Sequence, residues 1–213
     1  MQLKKIIVAG CSFTHGAGTD HPYMSKRNIE LSYSQYIADQ LHCDNHNIAM
    51  SACSNDWIFH RTVDKILQGG DIHSVIVCWT YSARMTWRSN GNIYNLHPTL
   101  FCAHKNPMNF QKFYDGDAPK GTLVRAETRE HADELSDMHP YVVRNMVDDA
   151  EFQENQKRYS KTLQAFCQQQ NIVLHETHPM NYRNIGTFHK ESRHPNAEEH
   201  VEIGKRIMDQ YYG

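Results

Sequence analysis

Several things are missing from this chain, and each absence closes off a class of function. It has no apolar run long enough to cross a bilayer as a helix. It has no excess of one charge: 22 lysines and arginines are interleaved with 24 aspartates and glutamates. Without a basic stripe or tail there is no electrostatic footprint for nucleic acid and no polybasic surface for a membrane, so neither is expected as a partner. The six cysteines, Cys11, Cys43, Cys53, Cys78, Cys102 and Cys167, include no Cys-x-x-Cys pair. They read as reduced, mostly buried thiols rather than a disulfide framework or a zinc knuckle. Internal repeats and low-complexity linkers are also missing. A length of 213 residues then suits one domain over 1–213 with a single substantial core. The chain opens directly in a strand-like run, with no leader pattern, from which a cytoplasmic location is expected unless a phage or a non-classical route releases it.

What is present is an alternation of apolar strand-like runs and amphipathic segments, the pattern of a parallel three-layer α/β fold. Lys5-Ile6-Ile7-Val8-Ala9, bounded by Gly10, reads as a central strand buried on both faces, and Ile72 to Trp79 reads the same way. The spacing predicts a helix from about Ser32 to His42 and a short strand at 45–49. A further helix is capped by Ser54, carries Phe59, Val63, Ile66 and Leu67 on one face, and is stopped by Gly69-Gly70. A long helix is predicted from about Val142 to Gln170, with Tyr159, Leu163, Phe166 and Cys167 as its buried stripe, followed by a strand at Ile172–His175. Between Met85 and Val147 this rhythm gives way to Asn, Pro, His and Gly with scattered aromatics, and an unstructured loop of that length is foreign to a compact domain. Residues from about 85 to 150 are therefore expected to be an insertion, either a lid over the site or a surface excursion or oligomer contact.

Two short blocks carry the chemistry. Gly10-Cys11-Ser12 follows the first strand, at the edge of a parallel sheet where ligands bind. Such turns also serve simply to cap a helix. At the other end, Glu191-Ser192-Arg193-His194-Pro195-Asn196 leads into an amphipathic helix starting at Ala197. A serine hydroxyl is a poor nucleophile at neutral pH and needs an imidazole to take its proton. The imidazole needs an acceptor on its other nitrogen to hold the useful tautomer. Ser12, His194 and Glu191 are the residue types for those three roles. Asn196 with Glu199 three positions later reads as a capping arrangement that would fix the loop of His194 against the helix.

These blocks, at this separation, resemble the SGNH (GDSL-like) hydrolase superfamily. Gly10-Cys11-Ser12 stands where that family has Gly-Asp-Ser, with Cys for Asp, and Glu191-Ser192-Arg193-His194-Pro195 where it has Asp-x-x-His-Pro, with Glu for Asp. Asn47 to Asp56 is similar to the second block, with Ala52 at the oxyanion glycine; Val75 to Ser82 is similar to the third, with Tyr81 at the oxyanion asparagine. Trp79-Thr80 and the following Arg84 resemble a divergent branch often met in bacteriophage genomes. The resemblance implies a flavodoxin-like α/β/α fold with a central parallel sheet. It also implies a serine esterase in which Ser12 attacks, His194 shuttles the proton and Glu191 orients it. The backbone N–H groups of Ser12 and Ala52 would hold the oxyanion, with Asn55 replacing the missing asparagine. The expected substrate is a small acyl ester, acetyl first, on a carbohydrate or other metabolite, with no cofactor and no metal. His15, Trp79, Thr80, Tyr81 and Arg84 are candidate substrate contacts. Because two oxyanion blocks are substituted, a second reading stands beside the first: a hydrolase-fold protein that binds a ligand or partner without turnover, such as a phage accessory protein.

The same residues have plainer readings. Cys11 neighbours Ser12 on an extended stretch, where adjacent side chains diverge, and reads as a buried thiol. His15 can cap its turn, and Trp79 and Trp87 can be core aromatics. Asp56 and Arg61 read as solvated helix charges. Arg84 calls for an anionic partner, either a substrate carboxylate or a protein acid. Among 15 histidines, His175-Glu176-Thr177-His178 is the most metal-like cluster, yet residues three apart at a strand face opposite sides. His21, His97, His139, His178 and His194 each precede proline, which suits turns.

Overall fold

Four parallel strands form the centre of the protein, in a computed structural model that describes residues 3–19, 25–51, 53–81, 84–89, 92–96, 149–188 and 194–213. Their order is β2 (Asp44–Asn47), β1 (Lys5–Ala9), β3 (Ile72–Cys78), β6 (Val173–Thr177). The two apolar runs of the sequence take the two central places. Ile6, Ile7, Val8 and Ala9 of β1 and Val75, Ile76, Val77 and Cys78 of β3 are all buried, because helices cover both faces there. The outer strands are more polar, as befits edges: β2 reads Asp-Asn-His-Asn, and β6 alternates between buried and part-exposed positions.

Handedness decides which helix goes where. β2 and β3 flank β1 on opposite sides, so right-handed crossovers place α3 (Tyr33–Leu41) on one face and α4 (Asn55–Leu67) on the other. The long α5 (Asp149–Gln169), between β3 and β6, packs on α4, with Phe59 stacked on Tyr159 at 5.0 Å between ring centroids. The C-terminal α6 (Ala197–Tyr211) packs on α3 and completes the third layer. The α/β fold with a central parallel sheet expected from the sequence is the one observed. No helix among the described residues is long and apolar enough to cross a membrane.

Some details differ from the sequence expectation. The buried stripe of α4 is Ile58, Thr62 and Ile66, while Leu67 is 68% exposed, because it lies a further 100° round the helix from Ile66 at the last turn. Residues 85–96 are not featureless: β4 (Met85–Ser89) and β5 (Asn92–Leu96) pair antiparallel as a separate two-stranded sheet, and β4 lies against α4. The remainder of the expected insertion, and the start of the long helix before Asp149, lie outside the described residues.

Of the three histidines buried among the described residues, His15, His175 and His200, all held toward the neutral form by burial, two are held furthest. His200 of α6 is fully buried between Tyr33 and Phe13, and its Nδ1 accepts the Tyr33 backbone N–H at 3.3 Å, which puts the ring proton on Nε2. Burial holds its pKa down to about 3, with a smaller contribution from the charge of His194; burial alone holds His15 down to about 4. Below the ordinary value of 6.5 an unfolded chain takes up a proton on each ring and the folded chain does not. Stability therefore falls with falling pH, by at most about 1.4 kcal/mol per pH unit for each histidine. The urea midpoint should drop steadily from pH 6.5 to 4.5, and His200→Asn, which keeps an acceptor for Tyr33, should lessen the slope. A midpoint flat over that window would show that neither ring resists protonation.

Candidate active site

Ser12 comes to its place through backbone geometry set by residues around it. The chain leaves β1 at Ala9 and turns at once into a single helical turn, α1 (Ser12–His15), in which Thr14 and His15 both donate to the Cys11 carbonyl. Thr14 anchors this turn. The Tyr33 hydroxyl donates to its Oγ1 at 3.0 Å, and Asn47, at the end of β2, donates to its carbonyl at 2.9 Å. The β2–α4 loop is laced to the same strand end, with Ile48 N–H on Val8 O, Met50 N–H on Gly10 O and the Cys53 thiol on Gly10 O. Cys11, which precedes this turn, makes no side-chain cap hydrogen bond to its first amides.

His194 is brought from the other end of the chain. The capping box expected from the sequence is present: the Asn196 side chain accepts the Glu199 N–H, and the Glu199 carboxylate accepts the Asn196 N–H, each at 2.9 Å. The other Glu199 oxygen accepts the Thr187 N–H at 3.1 Å, which ties the incoming loop to α6 as well. So held, the His194 Nε2 lies 2.8 Å from the Ser12 hydroxyl, although the two are 182 positions apart in sequence. Burial first, and then the positive charge of Arg84, hold the His194 pKa below its ordinary value, so its ring is a neutral base at neutral pH.

The pair sits in a pocket of about 380 Å³. Cys11 and Phe13 flank Ser12, and the far wall comes from Pro179, Met180, Arg183 and Phe188 in the stretch between β6 and α6. A short 3-10 turn, Pro179–Tyr182, shapes that wall, and His178 caps it by accepting the Met180 N–H. Tyr81 and Arg84 close the side after β3. Tyr81 is 47% exposed and its hydroxyl donates to the Met180 sulfur at 3.8 Å. The Arg84 guanidinium is packed 5.4 Å from the centre of the Tyr81 ring.

Of the five candidate substrate contacts, Tyr81 and Arg84 line this pocket; His15, Trp79 and Thr80 do not. Trp79 is 4% exposed, donates its indole N–H to Glu176 at 2.8 Å and lines a second cleft. Thr80 and His15 are both buried. The Asn55 amide nitrogen donates to Thr80 O and to Gln156 Oε1, each at 3.1 Å, and its oxygen accepts the Thr80 N–H at 2.8 Å. Both amide hydrogens are thus engaged in holding α4, β3 and α5 together. Ala52 and Glu191 lie outside the described residues.

The remaining candidates are accounted for one by one. Cys11, Cys43, Cys53, Cys78 and Cys167 are free and buried. Tyr159 donates to Asp56 at 2.9 Å, and Arg61 lies over Trp57, so both charges serve helix packing. His175 packs on Tyr211 and Tyr212, Glu176 accepts from Trp79, Ser160 and Gln164, and His178 caps the 3-10 turn, so the cluster is divided among three local tasks. Sequence reasoning passed over Thr14 and Asn47, which fix the Ser12 turn, and Phe188, Met180 and Arg183, which build the wall. Asn47 was the findable one, since a short amide at the end of an edge strand is well placed to bind a neighbouring turn.

No protein-family model and no curated protein matches this chain. Among solved structures, it is similar to a member of the lipolytic protein G-D-S-L family from Veillonella parvula DSM 2008, at 12% identity over 98% of each chain and a TM-score of 0.38. It is also similar to an acetyl xylan esterase from the rumen bacterium Butyrivibrio proteoclasticus, at 12% identity over 99% of this chain and 64% of that one, with a TM-score of 0.43. A third similarity is to a family two carbohydrate esterase from Clostridium thermocellum in complex with cellohexaose, at 13% identity over 99% of this chain and 64% of that one, with a TM-score of 0.39. The chain spans just under two thirds of the length of these two esterases.

Proposed function

We propose that the protein is a serine hydrolase of carboxylic esters, with Ser12 as the nucleophile and His194 as its general base. The observation that carries this reading is the 2.8 Å contact between the Ser12 hydroxyl and His194 Nε2 at the wall of a pocket large enough for a small molecule. The hydroxyl proton passes to Nε2 as the oxygen attacks the ester carbonyl. The oxyanion that forms is met by the Ser12 N–H, with the Ala52 N–H as its partner donor. His194 then protonates the leaving alcohol, and water releases the acyl group by the same route in reverse. Glu191, three residues before His194, is assigned the orienting role at the other ring nitrogen. The acyl group is small, acetyl first, and the alcohol a carbohydrate or other metabolite. The reaction so written needs water and no cofactor.

Reaction with a fluorophosphonate, followed by intact mass, tests this directly. One adduct per chain on Ser12, together with turnover of p-nitrophenyl acetate, is expected. A folded protein that neither labels nor turns over would hand the site to the alternative, a binding protein built on this fold.

The depressed pKa of His194 gives a signed expectation for pH. The base must be neutral to act, and a lowered pKa keeps it neutral further into acid. The acid limb of kcat/KM should therefore fall below the ordinary histidine value of 6.5. A limb at or above that value would mean that His194 is more hydrated than its surroundings suggest.

A further inference from the structure

We propose that Arg84 is an anion subsite beside Ser12, and that the esters taken by this pocket carry a carboxylate close to the reacting carbonyl. The proposal rests on the serine-ester reading and adds the charge of the substrate to it. Arg84 is only 9% exposed, lines the same pocket as Ser12 and His194, and buries its Nε and Nη1 without a hydrogen-bond partner among the described residues. A guanidinium stays charged at every accessible pH, and burying it with donors unmet is costly unless an anion completes the site. The Tyr81 face at 5.4 Å holds the group in place but accepts no hydrogen bond in its plane. A carboxylate in the pocket would supply the negative charge that a buried guanidinium calls for.

The rest of the pocket agrees in sign and size. Arg183 adds a second positive charge at the exposed side of the lining, and no aspartate or glutamate is among the described lining residues. Two cations exceed what the single charge of an oxyanion requires. An acetyl group, counted at about 30 Å³ per heavy atom, fills on the order of 90 Å³. A pocket of about 380 Å³ leaves room for a charged group beyond it.

The test compares three esters at fixed ionic strength: neutral p-nitrophenyl acetate, p-nitrophenyl hemiglutarate with its carboxylate on the acyl side, and 4-acetoxybenzoate with its carboxylate on the alcohol side. Wild type should favour at least one anionic ester over the neutral one by tenfold or more in kcat/KM. Arg84→Gln should bring that ratio close to one, chiefly through KM, and Arg84→Lys should retain part of it. Arg84→Gln should also move the acid limb of the profile upward by removing the charge that repels a proton from His194. An unchanged ratio in Arg84→Gln overturns the proposal, and so does an equal loss on all three esters, which would make Arg84 an oxyanion donor instead. Glutarate binding to Ser12→Ala, measured by calorimetry, separates this proposal from the esterase reading. Saturable binding that disappears in Ser12→Ala/Arg84→Gln supports the subsite even if no ester is hydrolysed. Glutarate binding of equal strength with and without Arg84, or none to either protein, overturns it.

Discussion

Ser12→Ala should lower the hydrolysis of p-nitrophenyl acetate by about 10⁴- to 10⁶-fold while leaving the fold intact. The size of the effect follows from what the hydroxyl is connected to. Its one hydrogen bond among the described residues goes to His194. Removing it therefore deletes the reaction coordinate. His194→Ala should cost nearly as much, because an unassisted serine hydroxyl is hardly ionised at neutral pH. The double variant should be no slower than the worse single one, since the two groups act as one unit. Rates of all three, alongside thermal midpoints and fluorophosphonate mass shifts, decide the matter. If Ser12→Ala retained more than a few per cent of wild-type turnover with an unchanged thermal midpoint, the nucleophile would have to be another group.

The parts of this site that were legible in the sequence are those fixed by local rules. A run of four β-branched and apolar residues, Ile6 to Ala9, before a small-residue turn is enough to place Ser12 at the end of a central strand, because the run tells burial on both faces and the turn tells where it stops. Ser54 as a cap and the Asn196–Glu199 box are equally local, each a side chain closing on an amide three residues away. The hairpin of β4 and β5 was there to be read as well, since Asn90-Gly91 between two short runs is a strong two-residue loop signal. It was obscured by the polar, irregular composition that follows.

What could not be read is what the tertiary fold assigns. Asn55 has the right amide for an oxyanion donor, but only the approach of β3 and α5 supplies the three hydrogen bonds that engage it. Leu67 was misplaced by one helical position, enough to turn it from core to solvent. The wall of Met180, Arg183 and Phe188 has no period at all, because loop residues are chosen by the space they border and not by a repeat. Arg84 falls between these cases. Its need for an anion is plain from its chemistry, and only the structure shows that the described residues do not meet it.

Gly18→Ala should slow ester hydrolysis by about tenfold to a hundredfold without touching any group that reacts. Gly18 lies in the turn after α1 at φ +95°, a conformation that favours glycine, and its backbone lies against His194 and Pro195. A Cβ at this position would stand 2.8 Å from the Cβ of His194 and 3.2 Å from the carbonyl oxygen of Pro195. The His194 loop is pinned on its far side by the Asn196–Glu199 box and by Thr187, so it cannot simply swing away. The strain then goes into the 2.8 Å contact with Ser12, where a displacement of a few tenths of an ångström weakens proton transfer in every turnover. Gly69→Ala is the control that separates backbone strain from this steric push. Gly69 also has a positive φ, +70°, but a Cβ there meets nothing within 4 Å. Both variants should lose about 1–2 kcal/mol of stability from the left-handed backbone, whereas only Gly18→Ala should lose activity and label slowly with a fluorophosphonate. Equal activities in the two variants would mean that the Ser12–His194 geometry tolerates movement of the loop, and that the pair is held by something other than the contact between its two ends of the chain.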